Sequence, residues 1–341
     1  MAKTAILLTN LGTPASPSVA DVRAYLNEFL MDPYVMDVPW PVRRFIVSAF
    51  VLPSRPKTSA KAYQSIWQDN GSPLLLHSET FTQKLELALN HKVYLAMRYG
   101  QPGIEQVLRQ IHQDGFDEVL LIPLFPQFAD STTGTNVAKV RRCLPTDMRL
   151  RVMEPFYADS WFIEPLAHKI ARHLPATWDH LLLSYHGLPQ RHLTRKDPGN
   201  HCLATENCCE TPNPCHANCY RHQTRETSRA LAKALNLTHD QYSMSYQSRL
   251  GRLPWIDPYT DEQLVTLGQQ GVQNLVVVCP AFVVDNLETL EEIGLRGEKS
   301  FKNAGGKTLT LIPCLNADDD WVAGMASHIR QRLTKVEAPD D

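Results

Sequence analysis

Eight short apolar runs, separated by longer stretches of mixed character, govern what this chain of 341 residues can fold into. AILLTNL (Ala5–Leu11), VYLAMRY (Val93–Tyr99), EVLLIPLF (Glu118–Phe125) and RLRVMEPF (Arg149–Phe156) form a first set. HLLLSYH (His180–His186), YSMSYQS (Tyr242–Ser248), NLVVVCPAF (Asn274–Phe282) and LTLIPCLN (Leu309–Asn316) form a second. Runs that are apolar nearly throughout, rather than at alternate positions, are expected of strands buried on both faces, as in a parallel sheet covered by helices. The two sets also match in detail. GIEQVLRQIHQDGFDEVLLIPLFP from Gly103 and DEQLVTLGQQGVQNLVVVCPAF from Asp261 share an order of helix, glycine, strand and proline, with Gly115 and Gly271 standing 156 positions apart. Trp161 and Trp321 are 160 positions apart, as are His168 and His328. Any two strand–helix–strand segments share part of this likeness, but several matches near one offset predict a duplicated α/β unit.

The fold class is therefore α/β, with two similar doubly wound, Rossmann-like domains, each on a four-stranded parallel sheet, and a cleft between them. Residues 1–157 make the first domain and 158–317 the second, with a last helix over 318–334 packing back on the first. A net charge of −2, with no basic run, argues against a nucleic-acid partner. The apolar stretch at the N-terminus is too short for a secretory core, and no segment approaches the roughly 20 apolar residues needed to cross a bilayer. The expectation is a cytoplasmic protein, in which clustered cysteines are metal ligands more often than disulfides.

Doubly wound sheets bind ligands beyond the carboxyl ends of their strands, so the residues where each run stops carry the functional reading. The first run ends in Asn10, Leu11 and Gly12, without the further glycines of a dinucleotide fingerprint. The second ends at Arg98 and Tyr99. The third continues into PQFADSTTG, whose Ser131, Thr132, Thr133 and Gly134 read either as a helix cap or as an anion cradle of N–H groups and hydroxyls. In the second set, His186 closes the first run, Gln247, Ser248, Arg249 and Trp255 follow the next, and Glu288, Glu291 and Glu292 lie just beyond the third. Glu288 and Glu292 share a helical face at i and i+4. That spacing usually marks a solvated acidic face, but so close to a buried strand Glu288 is expected to point into the crevice. An imidazole and a carboxylate facing one pocket make a proton-abstracting pair.

Five of the chain's eight cysteines, Cys202, Cys208, Cys209, Cys215 and Cys219, fall within one polar stretch rich in Pro and Asn. Thiolates so grouped suit zinc or an iron–sulfur cluster, although the spacing lacks the two CxxC pairs of a zinc ribbon. Free thiols or a disulfide in a variable loop are the plain alternative. Cys143, Cys279 and Cys314 sit apart and read as small buried residues.

LLTNLGTP, DNGSPLLLHS, RYGQP, PQFADSTTG, LSYHGLPQRH, YQSRLGRLPWIDPYTDE and ETLEEI occur in this order over nearly the whole length. With them the chain resembles the ferrochelatases, enzymes of chelatase-like fold that insert ferrous iron into a porphyrin. The resemblance implies that protoporphyrin IX and Fe2+ are substrates, with His186 at the ring face as proton acceptor or metal-handling ligand, Glu288 as its partner and Glu292 on an acidic path for protons or iron. It implies a porphyrin pocket of Leu11, Arg98, Tyr99, Phe125, Ser131, Thr132 and Trp255, with Ser72 meeting a propionate. Phe125 replaces a tyrosine of many members, and Asn286 a histidine of animal members. The segment VMDVPWPVRRFIVSAFVLP (Val35–Pro53) corresponds to a lip over the porphyrin mouth and implies peripheral association with the inner face of the cytoplasmic membrane; read alone, it is a core helix with a charged end.

Some bacterial members carry an internal cysteine segment that holds a 2Fe-2S cluster. The resemblance extends that cofactor to the insertion at 198–222, with Cys202, Cys215, Cys219 and one of Cys208 and Cys209 as ligands. Animal-type clusters instead use a cysteine where this chain has Asp130, and others near the C-terminus. Three rival functions remain: the same chemistry on coproporphyrin III, against which Ala15 weighs, cobalt or nickel insertion into a more acidic tetrapyrrole, and a non-enzymatic haem-binding or redox-sensing role. The chain acts as a monomer or homodimer.

Overall fold

A computed structural model describes residues 3–249 and 253–334. Leu250, Gly251 and Arg252 of the QSRLGRLPW motif lie outside the described residues. Eight strands are present: β1 (Thr4–Gly12), β2 (Val93–Tyr99), β3 (Glu118–Pro123), β4 (Arg149–Val152), β5 (His180–His186), β6 (Tyr242–Gln247), β7 (Asn274–Val278) and β8 (Thr308–Leu311). They form two four-stranded sheets in the orders β2-β1-β3-β4 and β6-β5-β7-β8. Every pairing is parallel. The same order in both sheets fits the duplicated pattern of the sequence. β3, β4, β7 and β8 stop short of the apolar runs that contain them, each at or just before a proline (Pro123, Pro155, Pro280 and Pro313), which has no N–H to give a ladder.

Each sheet is buried on both faces, as its uninterrupted apolar strands require. In the first, Ile6, Leu8, Leu120 and Ile122 pack on one side with Phe81 and Leu85, while Ala5, Leu7, Val119 and Leu121 pack on the other with Ile104, Leu108 and Ile111. The Ile104–Gln113 helix shows how sequence sets this: Ile104, Val107, Leu108 and Ile111, at helical spacing, are its buried residues. In the second sheet Leu181, Leu183, Val276 and Val278 share the apolar cluster of Ile6 and Leu8, so one core runs from sheet to sheet. Each such side chain contributes on the order of 1.5–3 kcal/mol.

The helices that follow β4 and β8, Ser160–His173 and Asp319–Thr334, pack on each other. Trp161 and Trp321 stack at 5.6 Å with planes 10° apart, and Trp321 stacks in turn on Phe81 of the Pro73–Leu89 helix at 5.6 Å. Gly324 permits the approach, since a methyl there would come within 2.7 Å of the Trp161 carbonyl oxygen. The 35–53 segment forms the helix Trp40–Ile46 continued by a wider turn, Val47–Val51. Its first arginine is not a charged end: Arg43 turns inward and donates to the carbonyls of Met36 and Val38 at 2.9 and 3.0 Å. Trp40, Phe45 and Phe50 point outward, 61%, 63% and 67% exposed. Replacing Trp321 by alanine is expected to cost about 3–5 kcal/mol, read as a fall in the urea unfolding midpoint. A loss below about 1 kcal/mol would mean that the stack does not fasten the sheets.

Candidate active site

A cavity lies where the carboxyl ends of the central strands of both sheets face each other. From the first sheet come Leu11 and Gly12 at the end of β1 with Thr13 after it, and Phe125, Gln127, Ser131 and Thr132 after β3; from the second come His186 at the end of β5, and Phe282 and Glu288 after β7. These are the switch points at which strand order reverses in each sheet. Gly12 has φ +112, and a Cβ there would lie 1.8 Å from the Tyr99 carbonyl oxygen, so only glycine lets β1 turn out of the sheet at this point.

His186 Nδ1 lies 2.6 Å from the Gly187 carbonyl oxygen. A carbonyl only accepts, so in the neutral ring the proton sits on Nδ1 and Nε2 holds the free lone pair. Glu288 opens a ten-residue π-helix, Glu288–Gly297, fixed by a reciprocal pair just before it. Thr289 N–H donates to Asn286 Oδ1 at 3.1 Å, and Asn286 N–H to Thr289 Oγ1 at 3.0 Å. Gln247 Nε2 donates to the Glu288 carbonyl at 2.8 Å, tying that turn to the end of β6. Burial pushes the Glu288 carboxyl above the ordinary carboxylate range; His186 opposes this, and Glu292 and Glu291 reinforce it. Glu292 faces elsewhere: its carboxylate accepts from Ser248 N–H at 2.8 Å and Ser248 Oγ at 2.6 Å.

The remaining predicted residues divide. Leu11, Ser72, Phe125, Ser131 and Thr132 line the cavity, and Ser72 Oγ accepts from Thr13 Oγ1 at 2.9 Å. In the turn at Ser131 the N–H groups of Thr132 and Gly134 already donate to the Ala129 carbonyl, at 3.2 and 3.0 Å. Arg98 and Tyr99 do not line the cavity. Both bind buried Asp32, the guanidinium in an ion pair and the Tyr99 hydroxyl at 2.8 Å, and Thr135 Oγ1 donates to the same carboxylate at 2.6 Å. Trp255 does not line the cavity either. It sits behind His186, bridged to Pro189 through the backbone, with its ring edge against Gly187.

Several lining residues were not read from the sequence. Tyr25 and Tyr63 meet edge to face at 6.5 Å, and burial raises both hydroxyls' pKa values. Both sit on helices outside the strand ends, where an aromatic at core spacing carries no sign of a cavity. Gln127 and Tyr220 also line it, and Tyr220 directly follows Cys219.

The cysteine segment is a separate centre. Cys202 Sγ lies 3.5 Å from Cys215 Sγ, and Cys208 Sγ 4.0 Å from Cys209 Sγ, with no disulfide among the described residues. The Cys219 thiol acts on both Cys202 and Cys209. Arg221 donates to the sulfurs of Cys208 and Cys209 at 3.4 and 3.8 Å, and Leu203 N–H to that of Cys208 at 3.3 Å. Burial, then the neighbouring Cys215, pushes the Cys202 thiol up to about 12, so a metal there would displace protons. Converging soft sulfur donors beside a guanidinium and an N–H suit a thiophilic metal or cluster. His201, Cys215 and His216 also bring ligand atoms within 4.8 Å of one another.

Likeness to known proteins bears on the fold and the family. SirB from Bacillus subtilis with Fe3+ superposes with a TM-score of 0.54 at 12% identity, covering 96% of this chain and 95% of that one, which speaks for the fold alone. Ferrochelatase of Pseudomonas syringae pv. tomato is 50% identical over 322 residues, 93% of this chain and 94% of the relative. Ferrochelatase of Azotobacter vinelandii is 49% identical over 332 residues, 96% and 98% of the two. The family described as Ferrochelatase matches residues 3–333, and the chain belongs to that family of metal chelatases.

Proposed function

We propose that the chain inserts ferrous iron into protoporphyrin IX, with release of two protons, in the cavity between the sheets. The observation that carries this reading is the pairing of His186 and Glu288 on a wall otherwise made of apolar groups, hydroxyls and amides, without a lysine or arginine among the described lining residues. Metallation removes the two pyrrole N–H protons as the iron becomes bound to all four ring nitrogens. His186 Nε2 accepts one proton on its lone pair, and Glu288, when ionised, accepts the other. The hydroxyls of Ser72, Ser131 and Thr132 meet propionates, and Glu292 passes protons or iron on by way of Ser248. The wall's lack of cations favours protoporphyrin IX, with two propionates, over coproporphyrin III, with four. Arg98, Tyr99 and Trp255 hold the wall from behind.

We read the cysteine segment as the holder of a 2Fe-2S cluster, through Cys202, Cys215, Cys219 and one of Cys208 and Cys209. Such a cluster supplies one-electron redox chemistry when bound. A mononuclear zinc site is the second reading, supported by the His201, Cys215 and His216 grouping. The outward Trp40, Phe45 and Phe50, with Val42, suit contact with a membrane surface at the mouth. Among the described residues, no helix is long and apolar enough to cross a membrane.

Four outcomes are expected. In ferrous-iron insertion assays, His186→Ala and Glu288→Gln each lower kcat by about 10²–10⁴-fold; a wild-type rate in either removes that residue from the reaction. Glu288→Gln also changes stability, with the opposite sign. A carboxyl whose folded pKa is raised contributes stability below its unfolded value, and that contribution is lost as pH rises through the folded one. The variant should therefore melt above wild type at neutral pH, with the gap closing toward the usual glutamate value of 4.5. Purified protein should contain iron and acid-labile sulfide in equal amounts with visible absorption, whereas colourless protein with zinc favours the second reading. Finally, Phe45→Ser with Phe50→Ser should abolish co-sedimentation with anionic phospholipid vesicles, and unchanged binding would clear the lip of that role.

A further inference from the structure

The cysteine segment and the cavity wall meet at one buried side chain. Gln223, 0% exposed, lies in the first turns of the helix Tyr220–Ala234, and its N–H donates to the carbonyl of Cys219, the residue that precedes the helix. Its amide nitrogen donates to the carbonyls of Ala217 at 2.8 Å and His216 at 3.3 Å, which lie between Cys215 and Cys219. Its amide oxygen accepts the N–H of Phe128 at 2.6 Å. Phe128 belongs to the other sheet's PQFADSTTG loop, between Gln127 and Ala129 of the cavity wall. The orientation of the amide is forced, because an N–H only donates and the two carbonyls only accept.

One amide thus bridges the two loops directly, while the Lys196–Asp130 ion pair at 3.0 Å joins the second loop only to the start of the insertion. Cys215 and Cys219 flank the 3-10 turn Pro214–Asn218 that presents the two carbonyls. Any change that repositions those thiols shifts the carbonyls as well, and a fully buried amide cannot turn to water in their place. It must either follow them and pull on Phe128 N–H, or keep Phe128 and leave its own donors unmet. Thr227, one turn along the helix, makes a comparable cross-link from Gln127 Nε2 at 2.9 Å, but its hydroxyl donates to Tyr157 and Gln223 carbonyls rather than to the cysteine segment.

We propose that Gln223 is a positioning residue that makes the cavity wall at Phe128 depend on the state of the thiols at 215 and 219, so that emptying or modifying the cysteine site weakens porphyrin binding. The proposal rests on the reading of the cavity as the porphyrin site, and it holds whichever metal the thiols carry.

The test is protoporphyrin IX binding, followed by fluorescence quenching, on the full chain as purified, after removal of metal by chelation, and after alkylation of the thiols with iodoacetamide. Wild type is expected to lose about tenfold in affinity on either treatment, the scale of one buried amide contact. Gln223→Glu keeps the acceptor for Phe128 but removes the donors to the segment, and should bind porphyrin without responding to the treatments. Gln223→Met, of similar volume, should bind weakly in every state. Thr227→Val should respond as wild type does, which separates coupling from general damage to the helix; thermal melts establish that each variant folds. Wild-type binding unmoved by both treatments, or a Gln223 variant that responds as wild type, would overturn the proposal. Wild type that binds no protoporphyrin at all overturns the reading of the cavity, and the proposal with it.

Discussion

Trp161 and Trp321 occupy matching places in the two halves of the chain, and their rings stack on each other at 5.6 Å. A duplicated unit has one simple way to close on its copy, which is to press equivalent surfaces together. Here these surfaces are the helices that follow the last strand of each sheet. The stack extends through Phe81, Phe156 and Phe162, all nearly inaccessible, with centroids 5.6 to 6.0 Å from Trp321. Each aromatic pair adds about 0.5–1.5 kcal/mol to the burial of its rings. The Pro73–Leu89 helix carries Phe81 into this stack and places Ser72, at its start, on the cavity wall. The orientation of the two sheets, and hence the meeting of Leu11 and Phe125 with His186 and Glu288, depends on that packing.

Holding Glu288 in this cavity opposes stability. The carboxyl is buried among apolar groups and two tyrosines, and His186 offsets part of the effect of that burial. It stays there because the turn that carries it is fixed by the backbone, through Asn286 and Thr289 on one side and Gln247 on the other. The wide π-helical turn is of the kind that recurs at functional sites. A carboxylate that burial leaves poorly solvated, with Glu291 and Glu292 nearby, gains by taking up a proton, which suits a base better than it suits a structural ion.

Much of the fold was legible because its strands are buried on both faces, so continuous apolar runs had one reading. The ends of those runs were less legible, since β3, β4, β7 and β8 each stop at or within three residues of a proline while the apolar sequence continues. For the site, strand-end logic named His186 and Leu11 and the resemblance named Phe125, and all three line the cavity. Arg98 and Tyr99, also at a strand end, bind Asp32 instead, because a strand end fixes a location and not a partner, and that partner stands 66 residues away from Arg98. Tyr25 and Tyr63 had no readable signal. The five cysteines announced themselves by density, whereas Arg221 and Gln223 look like ordinary polar residues at a helix start until their buried contacts are known.

The separation of the two centres has a chemical reason on the reading of the cavity as an iron-inserting site. Iron that is to leave for a porphyrin must be held by ligands that release it. One imidazole nitrogen and a carboxylate do that, whereas several thiolates hold iron far more firmly. No cysteine is among the described cavity residues, and Cys279, at the end of β7, is buried against Gln247 instead, 3.6 Å from its amide oxygen. The thiols of the insertion lie at the far end of a helix turn, with Tyr220 as the first residue of that helix to face the cavity. A thiol site so placed influences the wall through backbone and amide contacts without competing for the iron that passes through it.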